Sequence, residues 1–308
     1  MADITATRIN NLHEKIKLVL GVGAGQNGYG QSLVSAPVSN LGDLATAEDL
    51  NNIYTDILKA RVHQVGVGDI SIAEVVQNLN TIALYTSVFV DDNGVTSVDP
   101  EGAKKGIVDF ENLMTQIEAD KFLLHPTQAS VEPGITSTRT ATWNGLLRHR
   151  VIVTFADINA RRYFFNTGGE IRISANNTGP SYPKGLDWAE VCSQVGTVSF
   201  SANNTQSTQG GGQSIGNYDL THSDQTIYQK IGGGTYSAIY AGNIYTIKAR
   251  SDSDNTITFT IEFNDIVQDN NVDNNVDGQL SSVIQQYRAD SDYVSVTAPT
   301  YFNSQTLS

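Results

Sequence analysis

The chain has 308 residues, of which 39% are hydrophobic and 17% charged, so it is long enough for two domains with a sizeable core. A net charge of −13 argues against general nucleic-acid binding, which needs a surplus of Lys and Arg to neutralise phosphates. The single cysteine, Cys192, excludes an intramolecular disulfide, and no apolar run approaches the roughly 18 residues of a membrane span.

The first 125 residues have mostly helical periodicity. One apolar stripe runs from Ile9 to Leu20 and ends at a Gly-rich stretch over 21–30. A second stripe runs from Leu50 to Val62, and Thr46 is its expected N-cap. These two patterns predict two amphipathic helices.

A third and a fourth helix are predicted on either side of a small hairpin. Asn93-Gly94 indicates the hairpin turn, and Asp99-Pro100 indicates the cap and first position of the fourth helix. A capping-box pattern, Ser71 with Glu74, and the apolar face that follows it predict the third helix. The residues of that face are Val75, Val76, Leu79, Ile82 and Ala83.

After residue 139 the apolar period changes to two. The clearest strand is Thr256 to Phe263, and a turn over 253–255 pairs it with the strand before it. Many strands with short polar turns favour an antiparallel sandwich. We therefore predict an α+β protein, with a mainly helical docking and assembly domain over 1–138 and a β-sandwich domain over 139–308.

Three segments are expected to lie outside these elements. Polar composition predicts surface loops over 202–216 and 268–278. The stretch from Gly21 to Leu44 has apolar residues without a regular period, and we expect contact with another subunit to order it. The alternative is a strap that lies across the helices of its own chain.

No motif points to catalysis. Gly23, Gly25 and Gly28 match G-x-G-x-x-G, but a helical stripe precedes them where a dinucleotide site needs a strand. The five histidines show no metal-ligand spacing, and no serine lies in a nucleophile elbow. We expect no enzymatic activity and no cofactor.

One segment resembles the opening of a calcium loop. Asp273, Asn275 and Asp277 alternate before Gly278, which supplies oxygen ligands at the spacing of that loop. Ile284 stands where the twelfth position requires an acidic ligand. These three residues are therefore candidate calcium ligands, and a turn without a bound ion is the alternative interpretation.

Charge and tyrosine are unevenly distributed. Residues 1–138 carry a charge of −9, whereas six of the eleven basic residues of the second half fall between Arg139 and Arg172. An electrostatic fit between domains or subunits is one interpretation of these charges, and ordinary outward positions on strands are the favoured one.

Four tyrosines lie close together in the second half of the chain, namely Tyr228, Tyr236, Tyr240 and Tyr245. They either contact sugars or pack within the sheet.

Several segments together resemble virion structural proteins of tailed bacteriophages, especially marine cyanophages with contractile tails. The segments are INNL at 9–12, GAGQNGYG at 23–30, ARRYFFNTGGEI at 160–171 and ITFTIEFND at 257–265. The resemblance spans most of the chain and carries no catalytic signature.

This resemblance implies a component of the tail, baseplate, neck or fibre apparatus, located in the virion and assembled in the host cytoplasm. Its implied partners are other virion proteins and copies of itself, with three, six or twelve copies around the tail axis. The alternative function is a tail-fibre or receptor-binding adhesion protein that contacts host surface glycans. The same reasoning expects neither a membrane span nor general nucleic-acid binding.

Overall fold

The computed structural model describes residues 6–38, 46–66, 81–85, 88–91, 96–98, 107–267 and 275–307. The chain has two compact units, and N-terminal helices precede an antiparallel β-sandwich, which confirms the predicted α+β class. The first unit comprises Met1–Ala129, Asn166–Gly168 and Ala289–Val296, and the second comprises Ser130–Phe165, Gly169–Arg288 and Thr297–Ser308.

Three helices build the first unit. Helix α1 covers Ala6–Leu20, α2 covers Ala47–Val65 and α3 covers Ile107–Ala119. Thr46 caps α2 as predicted, because its side chain accepts a hydrogen bond from the N–H of Asp49, whose carboxylate in turn accepts from the N–H of Thr46. The apolar stripes of the three helices are buried against one another, with Ile9, Leu12, Ile16, Val19, Leu20, Leu50, Ile53, Ile57, Val62, Phe110, Met114 and Ile117 inside.

The first unit also contains a small antiparallel sheet. Strands β1 (Thr81–Tyr85), β2 (Val88–Asp91) and β3 (Thr96–Val98) lie in this order, and the pairing of β2 with β3 confirms the predicted hairpin. The predicted third helix is wrong at its end, because Ile82 and Ala83 lie in β1 and pair with β2. Its other residues, Ser71 to Leu79, lie outside the described residues, as do the turn Asn93-Gly94 and Asp99-Pro100.

Residues 21–38 form a strap within the first unit. Tyr29 is buried and its hydroxyl donates to the carbonyl of Lys121 over 2.6 Å. The buried carboxylate of Asp56 accepts hydrogen bonds from the N–H groups of Val34 and Ser35. Contacts within the chain therefore hold residues 21–38, which favours the alternative of a strap across the chain's own helices, and ordering by another subunit stays a prediction. Residues 39–44 lie outside the described part.

Two antiparallel sheets form the sandwich of the second unit. Their strands are β4 (Ala129–Arg139), β5 (Gly145–Thr154), β6 (Glu170–Thr178), β7 (Thr197–Phe200), β8 (Thr205–Ser207), β9 (Gly212–Gln213), β10 (Gln225–Ile231), β11 (Ile244–Ser253), β12 (Thr256–Asp265), β13 (Gln279–Ala289) and β14 (Thr300–Gln305). The five-stranded sheet has the order β10-β11-β12-β5-β14, and the six-stranded sheet has the order β4-β13-β6-β7-β8-β9.

Strand β12 lies at the centre of the five-stranded sheet and confirms the predicted alternation. Ile257, Phe259, Ile261 and Phe263 share one face and are fully buried. Phe259 meets Phe200 of the opposite sheet edge-to-face, with ring centroids 5.2 Å apart. The predicted hairpin is also present, because β11 pairs with β12 along its whole length.

Three helices lie between strands of the second unit, and the alternating apolar pattern of the sequence does not predict them. They are α4 (Ile158–Asn166), α5 (Pro183–Val195) and α6 (Ser237–Tyr240). Helix α5 begins with a proline at its first position, where the missing N–H costs nothing. Its buried side chains recur at helical spacing, with Lys184, Trp188, Val191, Cys192 and Val195 inside.

The predicted loop over 202–216 contains a hairpin. Strands β8 and β9 pair within it and form the outer edge of the six-stranded sheet. Gly212 has a φ of +141°, and a Cβ at this position would lie 2.0 Å from the carbonyl oxygen of Thr205. The close approach of the two strands thus requires glycine here.

Candidate functional site

All five histidines are hydrogen-bonded to groups of their own unit. His13 lies against the hydroxyl of Ser35, and His63 donates from Nε2 to the carbonyl of Thr167. His149 contacts Ser282 and Asn303, His125 contacts Thr127, and His222 donates to the carbonyl of Ser251. Cys192 is buried, and burial raises the pKa of its thiol to about 12, which keeps it unreactive.

His63 makes the stability of the chain dependent on pH. Burial lowers the pKa of its imidazole from 6.5 to about 4, whereas the hydrogen bond to Thr167 acts in the opposite direction. Between pH 6.5 and 4 the unfolded chain therefore binds the proton more tightly, and stability falls as pH falls through this range. We expect a loss of about 3 kcal/mol of unfolding free energy from this group.

Urea unfolding between pH 7 and 4 measures this loss, with His63→Gln as the test variant and His222→Gln as the control. His63→Gln removes the buried imidazole, so its unfolding free energy should decline less steeply on acidification than that of the wild type. His222→Gln removes an exposed imidazole and should keep the wild-type slope. Equal slopes in all three proteins would contradict a buried neutral His63.

The Gly-rich stretch after α1 is an interhelical loop. It follows a helix, and the side-chain amide of Asn166 donates to the carbonyl oxygens of Gly25, Asn27 and Gly28. The loop thus presents carbonyl groups to Asn166, whereas a dinucleotide motif presents N–H groups to phosphates.

The arginines between Arg139 and Arg172 have partners within the sandwich unit. Arg148 pairs with Glu262 over 2.8 Å, and Arg172 pairs with Glu170 over 2.7 Å and lies over the ring of Tyr287. Arg161 is buried and donates to Asn217, Ser251 and main-chain carbonyls. These contacts favour the interpretation that the arginines occupy ordinary strand and helix positions over the interpretation that they form one basic patch.

The predicted calcium ligands are only partly described. Asp273 lies outside the described residues, Asn275 accepts a hydrogen bond from Asn144, and the carboxylate of Asp277 accepts from the N–H groups of Ser181 and Tyr182. Asp277 thus stabilises the turn that leads into α5. Among the described residues, no group of three His, Cys, Asp or Glu side chains could hold a metal ion. Calcium binding by these residues stays a prediction.

The tyrosine cluster packs inside the sandwich unit. Tyr228, Tyr240 and Tyr245 are buried, and Tyr236 is half-buried. Tyr245 stacks on Phe263 with ring centroids 4.8 Å apart. Tyr228, Tyr240 and Tyr245 therefore serve packing and present no exposed face to a sugar.

A shallow polar cleft lies along the β8–β9 hairpin. Amide and hydroxyl side chains together with glycine backbone line it, and the hydroxyl of Thr205 is tied to the carbonyl of Ile215. The lining residues are Asn204, Thr205, Gln206, Ser207, Gly210, Gly211, Gly212, Gln213 and Ser214. Such a surface can exchange hydrogen bonds with a polar ligand, although it offers no aromatic platform.

The outer face of the five-stranded sheet is the second accessible feature. It is the face opposite to Phe259, and its central part carries a ladder in which Glu262 pairs with both Arg148 and Lys248. At the edge strand β14, Phe302 lies on this face next to Ile152 and is 64% exposed. A large exposed aromatic side chain on an edge strand is typical of an interaction surface.

The sandwich unit also contains a fully buried ion pair. Lys184 Nζ of α5 lies 2.9 Å from Oδ2 of Asp265 at the end of β12, and both side chains have no exposed surface. No sequence pattern predicts this pair, because its residues lie 81 positions apart in the chain and only the fold brings them together.

Within the described ranges, no helix has the length and apolar character needed to cross a membrane. Comparisons with protein-family models, with curated proteins and with solved structures gave no match.

Proposed function

We propose that this chain is a structural subunit of a tailed-phage virion, associated with the tail, baseplate or neck, that mediates particle assembly and performs no catalysis. The observation that carries the assembly role is the outer face of the five-stranded sheet with Phe302 exposed at its edge. The resemblance of the 160–171 and 257–265 segments to virion proteins supports the placement in a particle. The internal hydrogen bonds of the histidines fit a static component.

The outer face has the composition of a permanent interface. Short hydroxyl side chains occupy its centre, and Thr258 and Thr260 are almost fully buried beneath longer neighbours such as Arg150, which donates to Thr260. Side chains that are already fixed lose little entropy when a partner covers them. Phe302 then supplies an apolar anchor of the kind that dominates interface energies.

The occupant that we infer for this face is a second copy of the chain. The face carries Arg148, Arg150, Lys248 and Arg250 together with their acidic partners Glu262, Asp224 and Asp252, so one positive charge is in excess, whereas residues 1–138 carry a charge of −9. A face with this small positive excess on one copy that meets the acidic N-terminal region of the next copy is a head-to-tail contact. Head-to-tail contacts form a ring when the rotation between copies closes, and a ring would suit the expected cyclic arrangement around a tail axis.

The substitution Phe302→Asp should weaken self-association at least about tenfold, since it replaces an interface anchor with a charge. Sedimentation velocity of the purified chain over a concentration series measures this, and raised salt should weaken the wild-type association too. The matched control is Val131→Asp on β4, a residue that is 54% exposed on the other sheet. A wild type that stays monomeric, or equal effects of the two variants, would contradict this interface.

The placement in a virion needs a separate experiment. Antibodies against the purified chain, applied to particles of the phage that encodes it, should label one position at the tail, baseplate or neck in electron micrographs. A cryo-EM map of the particle would then locate the chain and its neighbours. Absence of the chain from purified particles would overturn the structural role whatever the outcome of the sedimentation experiment.

The polar cleft at the β8–β9 hairpin favours one second candidate, a tail-fibre or adhesion protein that binds host surface glycans. Its amide side chains, among them Gln206 and Gln213, can pair with sugar hydroxyls. Binding of the purified chain to host polysaccharide that is lost in the double variant Gln206→Ala/Gln213→Ala would favour this function over a purely structural one.

A further inference from the structure

The buried pair Lys184–Asp265 has the parts of a condensation site. An amine and a carboxyl group lie 2.9 Å apart with no exposed surface. The pair joins the first turn of α5 to the last residue of β12, so the two groups come from separate elements of one compact unit. This inference goes beyond the proposed function and does not depend on it.

Aromatic side chains enclose the two groups. Lys184 Nζ lies 5.7 Å from the ring centroid of Tyr240, and Trp188 follows one turn later on the same face of α5. Trp188 packs edge-to-face against Phe263, which precedes Asp265 by two residues on the same face of β12. Water is therefore excluded, and surroundings of this kind penalise a charged side chain.

Two N–H donors lie at the carboxyl. The indole N–H of Trp188 and the side-chain amide of Asn243 both act to lower the pKa of Asp265, and neither N–H group has a hydrogen-bond partner of good geometry. Burial nonetheless raises the pKa of the Asp265 carboxyl above its ordinary value. N–H groups beside a carboxyl group can also stabilise the negative charge that develops on its oxygen during attack by an amine.

We propose that Lys184 and Asp265 condense spontaneously to an isopeptide bond in the folded chain. The proton shared by the pair first resides on the carboxyl group, which leaves a neutral amine and a neutral acid. Nζ then attacks Cγ, the new C–N bond forms and the bond from Cγ to the hydroxyl oxygen breaks. That oxygen leaves as water with the acid proton and one amine proton, so no oxidant, metal or cofactor is consumed.

The expected result is an intact mass that is lower than that of the sequence by one water molecule. Mass spectrometry of the purified, folded wild type measures it directly and does not depend on a variant that folds. Tryptic digestion should yield the segment 173–230, uncut after Lys184, joined to the segment 251–288 that contains Asp265. The linked pair should be absent from Lys184→Arg, whose mass should show no loss of water.

The matched control is Lys248→Arg. Lys248 Nζ also lies close to a carboxylate, 2.8 Å from Glu262, but both groups of that pair are partly exposed. This variant should show the same loss of one water molecule as the wild type. A folded wild type with the full mass of its sequence, or a loss of water that maps to peptides other than these two, would overturn the proposal.

Discussion

Phe259→Asp should abolish soluble folding of the chain. Phe259 is fully buried on the central strand β12, between Val151 of β5 and Ala249 of β11, and it packs against Phe200 of the other sheet. Loss of the ring alone costs about 3–5 kcal/mol, and an unpaired carboxylate at this position adds several more. The sum approaches or exceeds the 5–15 kcal/mol that stabilise an ordinary protein.

The soluble fraction after expression and the far-UV circular dichroism of any soluble product measure this effect. The control is Phe302→Asp, which places the same charge on the same sheet at an exposed position and should leave the chain folded. Phe259→Leu should fold with a loss of about 1–2 kcal/mol, because it keeps the site apolar. A soluble, cooperatively unfolding Phe259→Asp protein would contradict the burial of this ring between the sheets.

Elements with a strong period of their own could be predicted from the sequence. The stripe from Ile9 to Leu20, the capped helix after Thr46 and the alternation in Thr256–Phe263 all occur in the structure. In each case the apolar residues whose spacing predicts the helix or strand are also the residues that are buried. Local preference and tertiary packing therefore agree at these positions.

Other elements depend on tertiary contacts that a local pattern does not contain. Ile82 and Ala83 fit a helical stripe, yet β1 pairs them with β2, since a neighbouring strand can override a weak helical preference. Helix α5 offered a detectable signal, because a proline at its first position precedes Trp188 and Cys192 at helical spacing. The contact between Lys184 and Asp265 offered none, because topology alone brings α5 to the end of β12.

Asp56→Ala should release the strap over 21–38 and destabilise the chain by about 3–5 kcal/mol. The Asp56 carboxylate on α2 has no exposed surface and accepts hydrogen bonds from three donors, namely the N–H of Val34 and both the N–H and the hydroxyl of Ser35. Alanine leaves the buried N–H of Ser35 and the part-buried N–H of Val34 without an acceptor, whereas the hydroxyl of Ser35 keeps His13 as a partner, and each buried unpaired donor costs about 1–3 kcal/mol. Lys59, 3.8 Å from the carboxylate, loses its partner as well.

Chymotrypsin cleavage after Tyr29 and Leu33, together with urea unfolding, separates a local release from a global loss. In Asp56→Ala, cleavage in the strap should accelerate at urea concentrations where the helices remain folded. Glu14→Gln, which removes an exposed pair with Lys17, should change stability by less than about 0.5 kcal/mol and leave cleavage unchanged. If Asp56→Ala resisted chymotrypsin as strongly as the wild type does, Asp56 would not be the group that holds the strap. If the isolated wild type were itself cut rapidly and only assembled particles resisted, the strap would owe its order to a neighbouring subunit.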